Sequence, residues 1–170
     1  MTAIKSKDGF THTISMLVAN KPGVLVRIAM AFSRRGFNID SLVVSPSANE
    51  KFSRMTITAQ GDPETLEQII RQANKLVDVI HAWEHNDQEA IHSELALFKV
   101  RKKGNSKSVI NGLIKAFQAR IIDDSEDSFI IEQVGETKEL DKLEDILKKY
   151  GVVEMVRTGK VVMVKGHQPT

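Results

Sequence analysis

The stretch HTISMLVANKPGVLVRIAMAFSRRG, residues 12–36, changes its hydrophobic period in the middle. Its first part alternates apolar and polar residues through Val18. This two-residue period is that of a β-strand in which one face is more apolar than the other. From Pro22 onward apolar residues recur at positions i, i+3, i+4 and i+7, the stripe of an amphipathic helix, and Gly36 provides the stop. These helix positions are Leu25, Ile28, Ala29 and Phe32. The stretch therefore predicts a strand, a short loop and a helix over Pro22–Arg35.

The next elements complete a unit with the order β-α-β-β-α-β. Residues 39–45 and 52–59 predict two strands of a hairpin, joined by a turn rich in proline, serine and asparagine. Asp62 followed by Pro63 predicts the start of a second helix, since aspartate caps free amides and proline suits the first helical position. Residues 77–83 predict a fourth strand. This order is typical of the ferredoxin-like fold, an antiparallel sheet with two helices on one face.

The second half of the chain repeats this order. Its predicted strands cover residues 94–101, 120–124, 128–134 and 152–157, its helices cover residues 106–118 and 137–150, and an additional strand covers residues 160–165. Residues 85–92 (HNDQEAIH) are polar and poorly periodic, as in a linker or the start of a connecting strand. We therefore predict an α+β protein of two ferredoxin-like βαββαβ domains, at residues 11–85 and 94–166, with a linker at residues 86–93.

Composition excludes several classes of function. The 170 residues include 24 basic and 22 acidic side chains, and a formal charge of +2 gives no broad positive field for a nucleic-acid backbone. The chain has no cysteine, which excludes disulfides and thiolate metal sites and is typical of a reducing cytoplasm. No apolar run approaches the roughly 18 residues that span a bilayer. The sequence predicts a soluble, cytoplasmic protein that binds neither nucleic acid nor membrane.

The size of the two predicted domains favours self-association. Domains near 60 residues bury only about 60% of the surface that their unfolded chains expose. A ferredoxin-like sheet also leaves one face and its edge strands without helices. We therefore expect an oligomer, with that face or the edge strands buried as in a homodimer.

The loop that joins the first strand to the first helix is a candidate binding site. It consists of Asn20, Lys21, Pro22, Gly23, Val24 and Leu25. We predict that Lys21 caps the helix and that Pro22 takes the first helical position, which leaves the following amides free. Free N–H groups at a helix N-terminus attract a carboxylate, and Gly23 lets a ligand approach the backbone. The Pro-Gly pair by itself also suits a tight strand-to-helix turn with no ligand, so it is a weak motif on its own.

Asn38 lies where the chain leaves the first helix and enters the second strand. Its side chain offers a carbonyl oxygen and an amide, which match the ammonium and the carboxylate of a free amino acid. An asparagine at this corner also suits a left-handed turn, so both roles stay open.

Residues 20–80 resemble the ACT domain of acetolactate synthase small subunits. The resemblance is carried by N-x-x-G-x-L at residues 20–25, RGFNIDSL at 35–42, SRMTI at 53–57, and LEQI with KLVDV at 66–69 and 75–79. The second half is similar to the same family through YG at residues 150–151 and RTG at 157–159, so the resemblance covers about residues 11–166. The chain departs from the family in its longer arm, residues 1–10, and at residues 135–136 and 162–163.

The resemblance implies a homodimer whose ACT domains pair side by side and bind a feedback inhibitor, chiefly valine, between protomers. Asn20, Gly23 and Val24 match positions that line this site from one chain, and Asn38 and Ile39 match those from the other. The resemblance also implies a partner, the catalytic subunit of acetolactate synthase, which carries thiamine diphosphate, FAD and magnesium and joins two pyruvates or pyruvate with 2-oxobutyrate. This chain then has no cofactor and no activity alone, and it activates and regulates that partner.

Other polar groups suggest structural roles. His81 and His85 stand four residues apart, but in a strand this spacing does not bring two side chains together, so we predict no metal site. The acidic residues 123–127 indicate a solvated hairpin end rather than paired catalytic carboxylates. Arg54 follows the turn at residues 46–51 and is placed to reach a carboxylate of the catalytic subunit, while an ordinary sheet-edge arginine is the alternative.

Three other functions are compatible with the same fold. An RNA-recognition domain needs aromatic residues on its sheet for base stacking, and an acylphosphatase needs an arginine in the first strand-to-helix loop. The predicted sheet has Leu42, Met55 and Ile57 instead, and the loop has Lys21. An ACT-domain sensor of a different biosynthetic enzyme is the main alternative, because only the family-specific elements argue against it.

Overall fold

The computed structural model describes residues 4–6, 9–85, 88–102, 106–167 and 170. These residues form two compact units. The first contains the described residues up to Ile91 and those from Lys160 onward, and the second contains His92–Gly159.

The first unit is built on a five-stranded antiparallel sheet. Its strands are β1 (Ile4–Ser6), β2 (Gly9–Ala19), β3 (Asn38–Pro46), β4 (Phe52–Gly61) and β5 (Val79–His85). Strand β2 has β4 on one side and both β1 and β5 on the other, and β3 pairs with the far side of β4. Among the described strands, β3 is therefore an edge strand of this sheet.

Two helices, α1 (Val24–Ser33) and α2 (Pro63–Ala73), form the core of this unit with the sheet. Their buried residues are Val24, Ile28 and Phe32 in α1 and Leu66, Ile69 and Ala73 in α2. They pack in one cluster with the alternate strand residues Ile14, Met16, Met55 and Ile57. The helix residues and the alternate strand residues predicted from the sequence therefore pack in a single core. The N-cap predicted at Asp62 is also present, because its carboxylate accepts a hydrogen bond from the Thr65 N–H at 2.8 Å.

The second sheet repeats the arrangement. Its elements are β6 (Ala90–Arg101), α3 (Ser106–Phe117), β7 (Arg120–Asp124), β8 (Ser128–Gly135), α4 (Thr137–Lys148) and β9 (Val152–Arg157). Strand β6 lies between β8 and β9, and β7 pairs with β8. The last strand, β10 (Val161–Val164), belongs to the first unit. The buried cluster includes Phe98, Phe129, Leu140 and Leu143. None of the helices in the described ranges is long and apolar enough to cross a membrane.

The α+β class and the repeated βαββαβ order are confirmed, while some element boundaries differ from the prediction. The N-terminal arm contains β1, which pairs antiparallel with β2 although no strand was predicted there. Strand β6 begins at Ala90, inside the predicted linker at residues 86–93, and residues 86 and 87 of that linker lie outside the described residues.

Strand β5 begins at Val79 instead of residue 77 because of Asn74. The side chain of Asn74 donates to the carbonyl oxygen of Ala82 and accepts from the Ala82 N–H, both at 2.8 Å. These bonds hold residues 74–78 in a turn before the strand, and Val77 is 97% exposed. The preference of valine for strands is overridden by this local turn.

Candidate functional site

The loop between β2 and α1 is a tight turn built on Pro22 and Gly23. Gly23 has φ 83° and ψ −10°, the angles of the third residue of a type II turn, and the Val24 N–H donates to the carbonyl oxygen of Lys21 at 3.5 Å. Gly23 is the N-cap of α1, and the helix begins at Val24. The predictions that Lys21 caps the helix and that Pro22 is its first residue were wrong, because Pro22 is the second residue of this turn.

The first turn of α1 leaves backbone donors open. Within the described residues, the N–H groups of Gly23, Leu25 and Val26 have no hydrogen-bond acceptor, and the first turn has no acidic side chain. Gly23 and Leu25 are exposed. The loop therefore presents free N–H groups together with the partial positive charge of a helix N-terminus, which suits a carboxylate.

Asn20 ties the loop to the hairpin between β3 and β4. Its backbone N–H donates to the carbonyl oxygen of Lys51 at 2.9 Å, and its Nδ2 donates to the carbonyl oxygen of Glu50 at 3.0 Å. The side chain is exposed, and its Oδ1 atom remains as an acceptor. Asn20 thus holds the loop in place and still offers an oxygen that suits an ammonium group.

Arg27 lies beside the same loop and was missed by sequence reasoning. Its Nη1 atom is 3.1 Å from the position that a Cβ atom on Gly23 would take, and its Nη2 donates to Asp78 at 2.5 Å. The backbone carbonyl of Asp78 also accepts from the Ala19 N–H at 2.7 Å. A guanidinium held by Asp78 therefore stands next to the free N–H groups. Because Arg27 and Asp78 are 51 positions apart, no local pattern in the sequence reveals this pair.

Asn38 lies at the opposite end of the sheet from this loop. It opens β3 opposite Gln60, whereas Asn20 follows the end of β2 that pairs with Phe52. From Phe52 to Gln60, strand β4 spans roughly 26 Å at about 3.3 Å per residue. One chain therefore does not bring Asn38 to the loop at residues 20–25.

The backbone at Asn38 is extended, and the left-handed conformation at this corner belongs to Gly36, with φ 72°. This excludes the left-handed turn as the role of Asn38. The side chain of Asn38 is exposed, and its Nδ2 donates to Asp40 at 3.3 Å. Ile39 is half-buried and packs against the first core. Asn38 thus offers polar atoms at the surface while Ile39 anchors the same strand end.

Arg54 lies in β4 between Leu17 of β2 and Ser45 of β3. Its neighbour Met55 belongs to the helix-covered core, so the alternation of a strand places Arg54 on the other face. Among the described residues its half-buried side chain forms no hydrogen bond or ion pair. The contact between Arg54 and a catalytic subunit stays a prediction.

His81 and His85 lie on one face of β5 with Trp83 between them. The ring centroid of Trp83 is 4.6 Å from that of His81 and 5.3 Å from that of His85, and Trp83 Nε1 donates to His85 Nδ1 at 3.2 Å. The three rings therefore pack as a row along the strand. In the described part of the chain, no three His, Asp or Glu side chains are grouped so as to hold a metal ion.

The acidic turn at residues 123–127 joins β7 to β8. Ser125 Oγ donates to Asp123 at 2.6 Å, and Lys102 pairs with Asp124. These contacts organise a hairpin end at the surface, which agrees with its predicted structural role.

Comparisons with known proteins identify both halves of the chain. Residues 14–81 match the family model of the AHAS small subunit-like ACT domain, and residues 93–166 match that of the small subunit of acetolactate synthase. A probable acetolactate synthase small subunit from Archaeoglobus fulgidus is 45% identical over 157 residues, which cover 92% of this chain and 98% of the relative. The acetolactate synthase small subunit of Mycolicibacterium smegmatis is 41% identical over 156 residues, which cover 92% of each chain.

A solved structure agrees with these matches. The crystal structure of the acetolactate synthase small subunit from Thermotoga maritima has a TM-score of 0.82 and 38% identity, covering 93% of this chain and 99% of that chain. The relatives therefore match along nearly their whole length and through both domains, which argues against a sensor of a different pathway. The chain belongs to the family of acetolactate synthase small subunits.

Proposed function

We propose that this regulatory subunit activates the catalytic subunit of acetolactate synthase and makes it respond to valine or another branched-chain amino acid. We base the proposal on the family and on one observation: the loop at residues 20–25 and the pair Asn38 and Ile39 lie at opposite ends of one sheet. Two halves of a binding site separated in this way suit a site that a second copy of the chain completes.

The loop end suits the charged part of a free amino acid. The N–H groups of Gly23 and Leu25 and the guanidinium of Arg27 match a carboxylate, and Oδ1 of Asn20 matches an ammonium group. Leu25 is 42% exposed and offers the apolar surface that a branched aliphatic side chain requires. The loop therefore supports an aliphatic amino acid as the effector.

The end of the sheet that carries Asn38 and Ile39 suits an interface between two copies of the chain. Strand β3 has no partner on its outer side among the described strands, and Val44 on it is 45% exposed. Pairing two β3 edges in a homodimer covers these backbone groups, as edge strands require. In such a dimer Asn38 and Ile39 of one protomer approach the loop of its partner.

The catalytic subunit supplies the chemistry in this proposal. Thiamine diphosphate, FAD and magnesium belong to that partner, and this chain contributes no cofactor. Effector binding by residues 11–85, a second domain at 94–166 and a cytoplasmic location are parts of the same proposal, with the predicted linker limited to the residues before β6 begins at Ala90. Arg54 is the proposed contact with the catalytic subunit.

Mixed dimers test whether the site is shared between protomers. Gly23→Asp and Asn38→Ala each damage every site of their own homodimer. A mixed dimer has one site with both changes and one site with neither, so we expect an equal mixture after subunit exchange to regain about a quarter of the wild-type valine stoichiometry in calorimetric titration. A mixture that binds no better than either variant, or a strict monomer in light scattering with valine present, would contradict the shared site.

A further inference from the structure

His12 is a buried titratable residue in β2 that the proposed effector site does not use. It is 2% exposed, its Nδ1 lies 2.6 Å from Oε1 of Glu84, and its Nε2 lies 3.1 Å from the carbonyl oxygen of Gly61. A carbonyl oxygen only accepts hydrogen bonds, so Nε2 carries a proton. At 2.6 Å the contact with the Glu84 carboxylate is also a hydrogen bond, with one proton between Nδ1 and Oε1. His12 therefore joins β2 to β5 and to the end of β4.

Gly61 connects this pair to the start of β3. A Cβ atom at Gly61 would overlap the ring of Phe37, so the ring packs directly on the backbone that His12 holds. Phe37 is 8% exposed and immediately precedes Asn38. The position of Gly61 thus fixes the position from which Asn38 enters the sheet.

A second path leads along the sheet to Ile39. In the strand register Ile39 stands opposite Ala59, and Ala59 stands opposite His12, so the three residues form one row across β3, β4 and β2. Paired residues in a row share a face, and here the central residue is the small Ala59, which is fully buried. His12 is therefore linked to both residues of the half-site at the start of β3.

We propose that His12 is a positioning residue for the Asn38 and Ile39 half of the effector site: its bond to Gly61, oriented by Glu84, fixes the start of β3. This rests on the proposed function only for its effect on valine binding. The physical claim about the strand end is independent of any ligand.

Two substitutions of His12 separate its two hydrogen bonds. His12→Gln places an amide nitrogen near the position of Nε2 and keeps a donor for the Gly61 carbonyl, whereas His12→Asn reaches only the position of Nδ1. Hydrogen exchange of a peptide covering residues 37–42 in the full-length protein measures the order of the strand end. We expect exchange about tenfold faster in His12→Asn and only about two- to threefold faster in His12→Gln, which loses the contact with Glu84 but keeps the donor for Gly61, with the loop at residues 20–25 unchanged in both.

Valine titration of the same variants measures the consequence for the effector site. We expect His12→Asn to weaken valine binding about tenfold and His12→Gln to stay within about twofold of wild type. Equal exchange in the two variants, or faster exchange with unchanged valine affinity, would overturn the positioning role. If the wild type binds no branched-chain amino acid, the proposed function fails, and the exchange comparison still decides whether His12 fixes the strand end.

Shortening the side chain of Glu84 leaves no buried cavity, because this side chain is 33% exposed. We expect Glu84→Ala to speed exchange at residues 37–42 in the same direction as His12→Asn, and Glu84→Gln, which keeps a polar partner for Nδ1, to have a smaller effect. Unchanged exchange in Glu84→Ala would overturn the role given to the pair even if His12→Asn fails to fold.

Discussion

The Nη1 atom of Arg27 lies 3.1 Å from the position that a Cβ atom on Gly23 would occupy, while Nη2 of the same guanidinium donates to Asp78. Any side chain introduced at Gly23 therefore meets a fixed positive charge. The same charge stands beside the free N–H groups of the first helical turn, so a carboxylate introduced here competes directly with a carboxylate ligand.

Replacing Gly23 with aspartate should abolish binding of valine, because the new carboxylate pairs with Arg27 where the carboxylate of the ligand would bind. Gly23→Asn is the matched control: it has the same size, lacks the charge and tolerates the positive φ of this position about as well. We expect Gly23→Asp to bind valine at least about tenfold more weakly than Gly23→Asn in calorimetric titration. Equal affinities in the two variants would contradict the assignment of the carboxylate site.

Two glycine-to-alanine changes should have opposite effects on stability. At Gly61 a Cβ atom overlaps the buried ring of Phe37, so Gly61→Ala should lower the free energy of unfolding by about 1–3 kcal/mol. Gly112 lies inside α3 with open space around it, so Gly112→Ala should raise that free energy by about 0.5–1 kcal/mol. Urea unfolding followed by circular dichroism measures both free energies. A Gly61→Ala variant with the same free energy of unfolding as wild type would contradict the close packing of Phe37.

The sequence predicts most of the fold because the fold depends on local hydrophobic periods. The stripes of α1 and α2 and the alternation in β2 and β4 were all present in the sequence and meet in one core. Boundaries set by individual side chains were less predictable. The delayed start of β5 depends on the bonds between Asn74 and Ala82, and the start of α1 depends on a turn that excludes Pro22 from the helix.

The candidate site was predictable only in its local parts. The Pro-Gly turn with free amides follows from residues 20–25 alone, although the sequence could not choose between a turn and a binding loop. Arg27 was missed because its position depends on Asp78, which is distant in sequence. The separation between Asn38 and the loop likewise follows from the strand register, which no single segment contains.

Arg157 should be a major contributor to the stability of the second unit. Its guanidinium donates to Glu94 and Asp141, both at 2.6 Å, and to Glu144 at 3.5 Å, and Glu94 is only 7% exposed. Arg157→Met leaves Glu94 and Asp141 without their cation, so we expect a loss of about 2–3 kcal/mol in the free energy of unfolding. Lys148→Met is the control, because it removes an exposed lysine from the same group and should change stability little.

The stabilisation by Arg157 should not depend on pH near neutrality. Burial disfavours the charged guanidinium, but hydrogen bonds from it to Asp141 and Glu94 outweigh this and raise the pKa of Arg157 above its usual value. A raised pKa gives stability that is present at all pH values below the pKa of the unfolded state, which for arginine lies far above neutral pH. We therefore expect the same difference between wild type and Arg157→Met at pH 6 and pH 9 in urea unfolding. A difference that shrinks strongly across this range would contradict the assignment.

The wild-type chain should show no acetolactate synthase activity alone, yet raise the activity of its catalytic subunit and make it sensitive to valine. Regulation of this kind corresponds to a coupling free energy of typically about 1–3 kcal/mol between effector site and catalytic centre, about 5- to 150-fold in equilibrium terms. Gly23→Asp should keep activation and lose the valine response, because it changes only the effector loop. Reconstitution of each variant with the catalytic subunit, assayed with and without valine, measures both quantities.

Arg54→Ala should show the converse behaviour and weaken activation, because Arg54 has a charge without an ion-pair partner among the described residues, on the sheet face away from the helices. Arg71→Ala is its matched control, since Arg71 is a 71% exposed arginine of the same unit that pairs with Glu67 on the surface of α2. We expect Arg71→Ala to activate like wild type at every ratio of the two subunits, whereas Arg54→Ala should need more regulatory subunit for half-maximal activation. Equal activation by these two variants would contradict the role of Arg54, and a wild-type chain that leaves both the rate and the valine sensitivity of its partner unchanged would contradict the regulatory function.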